Sequence, residues 1–558
     1  MMLNTLIDNA AAQGAIIDER ITFEKTEDSG ISAFLKPNSL TIDPIVIEIP
    51  NSMIIKPDDA YRAFNLEAEL IGNYEDLIFK IYIAGLLSGR VKNEYFEPYI
   101  MLLPHPSEIG SPLTMSDEEL KLFKDTSLQI KFIKERKHSL KDQFELVRSY
   151  IEGITFDEFL WAHLIITSRA FPYKIINPNS KPNLVMLLPI IDLLNHRPNS
   201  KVEWSSDSSG NFRLSALLPP STDLQRIEVF NNYGPKGNAE LFMGYGFVLE
   251  DNEYETLQLS LSLPHKLKSD LKNQWNIRLP TIDDYTFLVD QNSDHRDETD
   301  KLEEASDITV FMLNKFHPIA TGLLEVFAFV CRNEGDEGLT LKNTLNGLNQ
   351  LKKSLELKFL NKLDKMPVLN TTKVSSEIYA KSVIFRKGQL KVYNMAKSEI
   401  KAREKQLLKE YRQYLITIKD IYKNESEEFG NFMKIMEWDK DISHLTKMDM
   451  ELIFRLWLLK AINYRRSGNA QNSKFDLNWL FDLFEQKYQS FDVGNSEEYM
   501  IKLYSQIMSK IIKNASEVMK GNHWELKDWL IVDNIVTENS YEKGKSLEPI
   551  LIGPLNLF

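Results

Sequence analysis

Residues 188–198 read LPIIDLLNHRP and residues 230–247 read FNNYGPKGNAELFMGYGF, and these two stretches decide the fold. In the first, an apolar run ends in a carboxylate and then in the adjacent amide and imidazole of Asn195 and His196. The second sets Tyr233 among glycine and proline residues, which let a backbone approach a ligand closely. Taken singly, an Asn–His pair is most simply a polar turn, and a tyrosine in a glycine-rich turn is most simply packing. Their joint presence makes the two stretches a candidate site.

The hydrophobic period changes twice on the N-terminal side of the chain. Short β-rich runs separated by turn residues occupy about 20–55 and return at about 183–263, whereas about 57–180 follows a helical period. The pattern predicts a β-rich core that is split in two by a mostly helical insert. We expect this core and its insert to form one domain over residues 1–265.

Beyond that domain the helical period dominates almost to the end. Amphipathic stretches with solvated Lys and Glu faces indicate a helical domain over 266–428 and a helical extension over 429–558. The polar stretch 290–307 is the best candidate for a linker or loop. No fixed-period internal repeat is present, so a regular solenoid is not expected.

Composition narrows the classes of function. A formal net charge of −13 disfavours general binding to a phosphate backbone, because that affinity rests on accumulated Lys and Arg, so we expect no direct nucleic-acid partner. An acidic balance suits a basic protein substrate, although it is also an ordinary way to stay soluble. A single cysteine excludes a disulfide or a cysteine-based zinc site within these residues. The histidines show no metal-ligand spacing, and we predict no metal.

The first residues of the sequence do not predict a targeting signal. They lack a basic region followed by a continuous apolar core, and Asp8 disfavours a mitochondrial presequence. The longest apolar runs fall well short of the ~18 residues that a membrane helix needs. We expect a cytoplasmic protein, with the nucleus as a further compartment, and no membrane partner.

Several ordered motifs carry a family resemblance. The pairing of 192–196 with the downstream pattern Tyr233-Gly234-x-Lys236-x-Asn238-x-Glu240-Leu241-x-x-x-Tyr245-Gly246-Phe247 resembles the SET domains of the RuBisCO large-subunit methyltransferase type, which include fungal lysine methyltransferases of ribosomal proteins. Further matches occur in the same order: Gly30–Ala33, Pro98-Tyr99, Leu103-Pro104, Trp161-Ala162 and Ser168–Phe171. A weaker similarity to the helical substrate-binding domain of this family continues through 392–396 and 400–408.

The resemblance implies an α+β fold: a β-rich, pseudoknotted SET core with a helical insert, followed by an all-α C-terminal substrate-binding domain. It implies a monomeric protein-lysine N-methyltransferase that uses S-adenosyl-L-methionine. It makes Tyr233 the catalytic hydroxyl and places Tyr245 and Phe247 along the channel for the substrate lysine. The cofactor-binding residues that it implies are Gly30, Ile31, Ser32, Arg169, Asn195, His196 and Tyr233.

The chemistry of methyl transfer explains why these residue types are needed. A neutral amine attacks a sulfonium methyl in line, so the site must align the reacting atoms and exclude water. A nearby sulfonium and a dry aromatic channel lower the pKa of the target lysine, so no strong protein base is required. Tyr233 is then an orienting and electrostatic group, and Tyr245 and Phe247 hold the amine by cation–π contact.

Three positions depart from the family pattern or allow a second interpretation. Asp28 stands in the turn Asp28-Ser29-Gly30 where the family usually has glycine. Arg197 follows the Asn–His pair where a small residue is common, and we expect it on the surface. Arg169 could pair with a carboxylate instead of contacting the cofactor.

The sequence leaves alternatives for both the substrate and the type of reaction. By analogy with the family we expect a folded protein of the translation machinery, with a ribosomal protein first and a translation elongation factor second. Methylation of a histidine is a competing activity, and a catalytically silent SET-shaped binding module is a competing class. The joint presence of Tyr233, Asn195 and His196 argues against the silent module.

Overall fold

A computed structural model of the chain describes residues 2–26, 30–37, 43–67, 74–218, 226–281, 284, 306–333, 335–367, 374–439, 441–467, 473–495, 498–514, 525–544, 546–553, 555 and 557. Asp28 and Ser29 lie outside these ranges, as does most of the linker predicted at 290–307. The chain divides into two compact units: the first comprises Met1–His265, Pro280–Pro318 and Lys358–Met395, and the second Lys266–Leu279, Ile319–Leu357 and Ala396–Phe558. The domain boundary proposed at residue 428 stays a prediction.

The first unit contains several small antiparallel sheets. One has four strands in the order Ile16–Ile17, Ile45–Ile49, Phe212–Leu217 and Lys201–Ser206. Another has three strands in the order Ile21–Thr26, Gly30–Leu35 and Glu228–Val229. Two-stranded sheets pair Ala170–Pro172 with Val185–Leu187 and Thr256–Ser262 with Ile308–Asn314. Strands from the start of the chain therefore pair with strands some 200 residues later.

Helices of the first unit lie, in sequence, mostly between strand Ile45–Ile49 and strand Ala170–Pro172. They are Met2–Ala12, Pro57–Phe64, Glu75–Leu87, Glu97–Ile100, Pro106–Ile109, Asp117–Lys121, Ile130–Val147, Phe156–Arg169 and Asn238–Tyr245, followed later by the start of Ser376–Glu410. Every residue of Leu77–Leu87 is buried, as expected of a helix without a polar face. Phe156–Arg169 begins at a capping box made by Thr155 and Glu158, which fixes its first turn and so the position of Arg169 at its end.

The second unit is built mainly from helices around an apolar core. They are His265–Asn273, Leu323–Val330, Leu341–Phe359, the remainder of Ser376–Glu410, Ile418–Asn424, Ser426–Ile435, Lys447–Arg466, Asn478–Ser490, Glu498–Asn514 and Leu526–Asn539. The core centres on Lys447–Arg466 and Leu526–Asn539, whose Trp457 and Trp529 are almost fully buried. None of the described helices is both long enough and apolar enough to cross a membrane.

The prediction of an all-α C-terminal part is wrong. Ile308–Asn314 is a strand, and the second unit holds a three-stranded antiparallel sheet in the order Leu415–Thr417, Glu548–Ile552 and Ser540–Lys543. Strands of three to seven residues give too few repeats for a period of two to stand out beside long helices. Their pairing with residues far away in the chain decides their conformation. The molecule is therefore α+β in both units.

Candidate active site

Two segments that are distant in sequence run side by side at the site. His196 and Asn231 form a parallel bridge, in which the Asn231 N–H donates to the Asn195 carbonyl at 2.8 Å and the Arg197 N–H donates to the Asn231 carbonyl at 3.0 Å. The fully buried Asn231 side chain accepts a hydrogen bond from Trp204 Nε1 at 3.1 Å. These bonds hold the two stretches singled out in the sequence against each other.

Four aromatic rings meet where those segments come together. Tyr233 lies between His196 and Tyr245, with ring centroids 4.9 Å from each and interplanar angles of 13° and 16°. Phe247 lies 6.0 Å from Tyr245 and 6.3 Å from His196, with tilted rings. The result is an aromatic cluster of the kind that can hold an amine or a cation by its ring faces.

Hydrogen bonds hold both the hydroxyl and the backbone N–H of Tyr233. Its hydroxyl donates to the Leu194 carbonyl at 2.8 Å, and its backbone N–H donates to His196 Nδ1 at 3.0 Å. Burial is the main reason that the pKa of Tyr233 is raised. The phenol therefore stays protonated at neutral pH, which suits an orienting group and not a base.

His196 is held as a neutral imidazole. Burial, and then the positive charge of Lys236, lowers its pKa from 6.5 to about 4. Because Nδ1 accepts the Tyr233 N–H, the ring proton belongs on Nε2. This atom is buried, and no residue in the described part of the chain forms a hydrogen bond with it. A buried polar atom without a partner requires an explanation, and a ligand atom bound at this position would supply one.

Asn195 joins the N-terminal strands to this cluster. Its Nδ2 donates to Ser32 Oγ and to Glu228 Oε1, each at 2.8 Å. Ser32 is fully buried in strand Gly30–Leu35, and Glu228 begins the strand that pairs beside it. Three segments of the chain thus converge on one carboxamide.

Arg169 forms a buried polar network with Asp192 and Tyr99. Its Nη1 donates to the Asp192 carbonyl at 3.0 Å and to Asp192 Oδ2 at 3.2 Å, while the Tyr99 hydroxyl donates to the same Oδ2 at 2.6 Å. Burial raises the pKa of Asp192, and Arg169 and Tyr99 oppose that rise. The carboxylate pairing considered for Arg169 is present, and its role toward the cofactor stays a prediction.

Two glycines use conformations that other residues adopt only with strain. Gly30 has φ +71°, and an added Cβ there would meet no atom within 4 Å. Gly246 ends helix Asn238–Tyr245 with φ +78°, and an added Cβ would lie 1.7 Å from the Ile109 carbonyl oxygen. The first glycine thus faces open space, and the second lets the chain pass close to another segment between Tyr245 and Phe247.

The structure brings most of the predicted site residues together. Direct contacts connect Ser32, Asn195, His196, Tyr233, Tyr245 and Phe247. Gly30 and the half-buried Ile31 precede Ser32 on its strand, and Arg169 reaches the segment through Asp192. Arg197 is exposed and lies over the Phe230 ring, 3.8 Å from its centroid. The catalytic and binding roles of all these residues stay predictions.

Sequence reasoning assigned no role to three polar residues of the site. Tyr99 and Asp192 were visible only as parts of matching motifs, and Glu228 carried no local signal because it sits in an ordinary strand pattern. A carboxylate inside an apolar run, such as Asp192, is the one signal that could have suggested a buried partner. All three are recognised only by their hydrogen bonds in the folded protein, which connect Tyr99 to Asp192, Asp192 to Arg169, and Glu228 to Asn195.

The donors and acceptors present fit S-adenosyl-L-methionine. Among the described residues His196 Nε2 has no hydrogen-bond partner, an added Cβ at Gly30 would meet open space, and the Glu228 carboxylate lies beside Asn195. Within the described ranges, no group of three or more His, Cys, Asp and Glu side chains could hold a metal ion. The ring nitrogen of His196, the carboxylate of Glu228 and the open space at Gly30 suit an organic ligand with polar and cationic groups.

Comparisons with known proteins point to one class of enzyme. Residues 287–411 match the family model described as the EFM1 middle domain. Ribosomal lysine N-methyltransferase 1 of Saccharomyces cerevisiae is 29% identical over 76% of this chain and 80% of its own length. Protein-lysine N-methyltransferase EFM1 of the same yeast is 23% identical over 99% of this chain and 98% of its own.

Solved structures give the same fold. The structure of Rubisco LSMT bound to AdoMet matches 73% of this chain and 93% of its own, with a TM-score of 0.52 and 18% identity. At that identity the likeness concerns the fold, and the sequence relatives carry the class of activity. Together with the convergence of Asn195, His196 and Tyr233, these findings show a protein-lysine methyltransferase with a SET-domain fold like that of Rubisco LSMT, similar in sequence to fungal ribosomal lysine N-methyltransferases.

Proposed function

We propose that the protein transfers a methyl group from S-adenosyl-L-methionine to a lysine side chain of a protein of the translation machinery, with a ribosomal protein as the first candidate. The observation that carries this proposal is the stack of Tyr233 between His196 and Tyr245, beside the Asn195 carboxamide. It combines a narrow aromatic surface for an amine with polar groups for a charged cofactor.

Each residue of the cluster has a task that follows from its contacts. The bound cofactor supplies an electrophilic methyl group on a sulfonium. The Tyr233 hydroxyl, fixed by the Leu194 carbonyl, presents its oxygen as an orienting dipole. Tyr245 and Phe247 exclude water and hold the amine by ring-face contacts worth ~0.5 to 2 kcal/mol. In such surroundings the target ammonium loses its proton more readily, so no strong base is needed.

The cofactor is proposed to lie against Gly30, Ile31, Ser32, Arg169, Asn195 and His196. Support comes from the open space at Gly30 and from the unpartnered His196 Nε2. We also propose the pseudoknot of the SET class, in which the segments of Asn195 and Tyr233 cross, and the parallel bridge between His196 and Asn231 supports it.

The choice of substrate rests on the relatives. Three of them are named ribosomal lysine N-methyltransferases, from Saccharomyces cerevisiae and Schizosaccharomyces pombe. The match to EFM1 spans nearly the whole chain, which keeps a second substrate class open, and we propose an elongation factor as that second candidate. A net charge of −13 suits a basic protein partner better than nucleic acid.

The setting of the reaction is part of the same proposal. We propose a monomer that acts in the cytoplasm, and also in the nucleus, where ribosomal proteins and translation factors are found. The helical unit that follows the SET core is proposed to dock the folded substrate, in line with the weaker family similarity through 392–408.

A methyl-transfer assay on cell fractions tests the function. The purified chain is incubated with isotope-labelled S-adenosyl-L-methionine and with extract from a strain that lacks the enzyme, separated into ribosomal proteins and soluble factors. We expect label in one ribosomal protein, mapped to a lysine by mass spectrometry, and none with Tyr233→Phe. Label on an elongation factor selects the second candidate, label on histidine replaces the proposed reaction, and no label with intact cofactor binding indicates a silent module.

A further inference from the structure

Glu228 is a half-buried carboxylate at the edge of the candidate site. Its Oε1 accepts the Asn195 Nδ2 hydrogen bond at 2.8 Å, and Asn195 in turn touches Ser32. In the described part of the chain no Lys, Arg or His side chain forms an ion pair with it. A partly buried carboxylate normally has a cationic partner, because removing its charge from water costs free energy.

The strand pairing fixes the backbone of Glu228 next to the strand that carries Ser32. Glu228 lies opposite Phe34, and Val229 opposite Ala33, in the sheet that also carries Ser32. The nearest arginine in sequence, Arg226, stacks on the Phe34 ring and forms an ion pair with Glu24. Glu228 is therefore fixed beside Asn195, while the neighbouring cation is engaged elsewhere.

Two cations of the described residues near the site are already paired with other carboxylates. Arg169 bonds to Asp192, and Lys236 forms an ion pair with Glu240 at 3.7 Å. The negative charge of Glu228 acts on the Tyr233 hydroxyl. After burial, this charge is among the causes that raise the pKa of Tyr233. One uncompensated negative charge thus faces the region that Asn195 and Tyr233 line.

We propose that the Glu228 carboxylate makes the site prefer the positively charged methyl donor over its neutral thioether product, S-adenosylhomocysteine. This inference rests on the proposed function. Donor and product share the nucleoside and the amino-acid group and differ in one methyl group and one positive charge at sulfur. A fixed negative charge favours the sulfonium through Coulomb attraction, which is strong where water is excluded.

The same charge has a consequence for turnover. Once the methyl group has left, the attraction between the carboxylate and the sulfur centre is lost, so the product is held less tightly than the donor. Glu228 would then reduce product inhibition without touching the substrate lysine. It is a positioning and specificity-determining residue, acting beside Asn195.

Two substitutions separate the charge from the hydrogen bond. Glu228→Gln keeps an acceptor oxygen for Asn195 Nδ2 and removes the charge, whereas Glu228→Ala removes both. Glu24→Gln serves as the matched control, because it removes a carboxylate from the adjacent strand that is already neutralised by Arg226. Thermal melting checks that each variant remains folded.

Calorimetric titration of the full-length chain with S-adenosyl-L-methionine and with S-adenosylhomocysteine tests the inference. In Glu228→Gln we expect the ratio of donor to product affinity to fall about tenfold, with product affinity within about twofold of wild type. Glu228→Ala should weaken both compounds as well as lower the ratio, and Glu24→Gln should leave it unchanged. An unaltered ratio in a folded Glu228→Gln protein overturns the inference, whereas a wild-type chain that binds neither compound overturns the proposed function itself.

Discussion

The Tyr233 backbone N–H donates to His196 Nδ1 at 3.0 Å while the two rings stack with centroids 4.9 Å apart. One residue pair therefore couples the Asn–His segment to the tyrosine segment through both a hydrogen bond and a ring contact. The bond requires a neutral imidazole with a free lone pair on Nδ1. The protonation state of His196 thus controls how Tyr233 is held.

Tyr233→Phe should lower turnover by about two orders of magnitude or more, because it removes a fixed dipole from the reacting region. The ring stack and the backbone bond to His196 persist, so cofactor affinity should stay within about threefold of wild type. Single-turnover methylation and calorimetry measure the two quantities. Full activity in a folded Tyr233→Phe protein would remove the proposed role of the hydroxyl.

Asn195→Ala should weaken the binding of S-adenosyl-L-methionine. The substitution deletes the carboxamide that connects Ser32 and Glu228 and leaves both side chains without that donor. We expect roughly tenfold weaker affinity, about 1.4 kcal/mol, because Ser32 and Glu228 are then no longer held together at the proposed pocket. Unchanged calorimetric affinity would place Asn195 outside the pocket.

Stability should fall as the pH is lowered from about 6.5 toward 4. Burial holds the pKa of His196 at about 4 in the folded chain against 6.5 in a model peptide, so the unfolded chain binds more protons in this window. The contribution is fully present above pH 6.5 and amounts to up to about 3 kcal/mol, which is lost as the pH approaches 4. Melting temperature against pH measures it.

His196→Asn tests the origin of that pH dependence. The asparagine carbonyl can still accept the Tyr233 N–H but cannot titrate, so the slope between pH 4 and 6.5 should become shallower. The buried His163, whose pKa burial lowers to about 3, contributes in the same direction, and His163→Asn is the matched comparison. A slope that changes in neither variant would contradict the assignment.

Gly246→Ala should destabilise the fold far more than Gly30→Ala. Both positions have positive φ, which costs a residue with a Cβ about 1–2 kcal/mol. Only at Gly246 would the new atom also collide with a backbone, the Ile109 carbonyl, so we expect a loss well above 2 kcal/mol there. Equal losses in denaturant unfolding would refute the close approach at Gly246.

Arg169→Met should cost about 3–5 kcal/mol of unfolding free energy, because it leaves the buried Asp192 carboxylate without its cation. Tyr99→Phe, which removes one neutral donor from the same oxygen, should cost about 1–3 kcal/mol. Adding Asp192→Asn to Arg169→Met should restore part of the stability, since the uncompensated charge is then gone. A double variant no more stable than Arg169→Met would show that the carboxylate is not the cause.

Local sequence patterns predicted much of the candidate site and less of the fold. The apolar run that ends at Asn195-His196 and the tyrosine among glycines could be recognised because each is an unusual local combination. Strand Ile308–Asn314 and the sheet around Glu548–Ile552 were missed, because short strands depend on partners far away in the chain. Glu228 was missed for a related reason, since a glutamate at a strand end has no local feature that sets it apart.

The sequence by itself determined the two stretches that carry Asn195, His196 and Tyr233 and the order in which they occur, because residue type and spacing are properties of the chain. Only the tertiary structure decided that Asn195 connects Ser32 to Glu228 and that Tyr233 lies between His196 and Tyr245. Hydrogen bonds and ring contacts depend on distances of a few ångströms between segments as many as 196 residues apart, counting from Ser32 to Glu228. Such distances are set by the packing of the whole SET core and not by any local pattern.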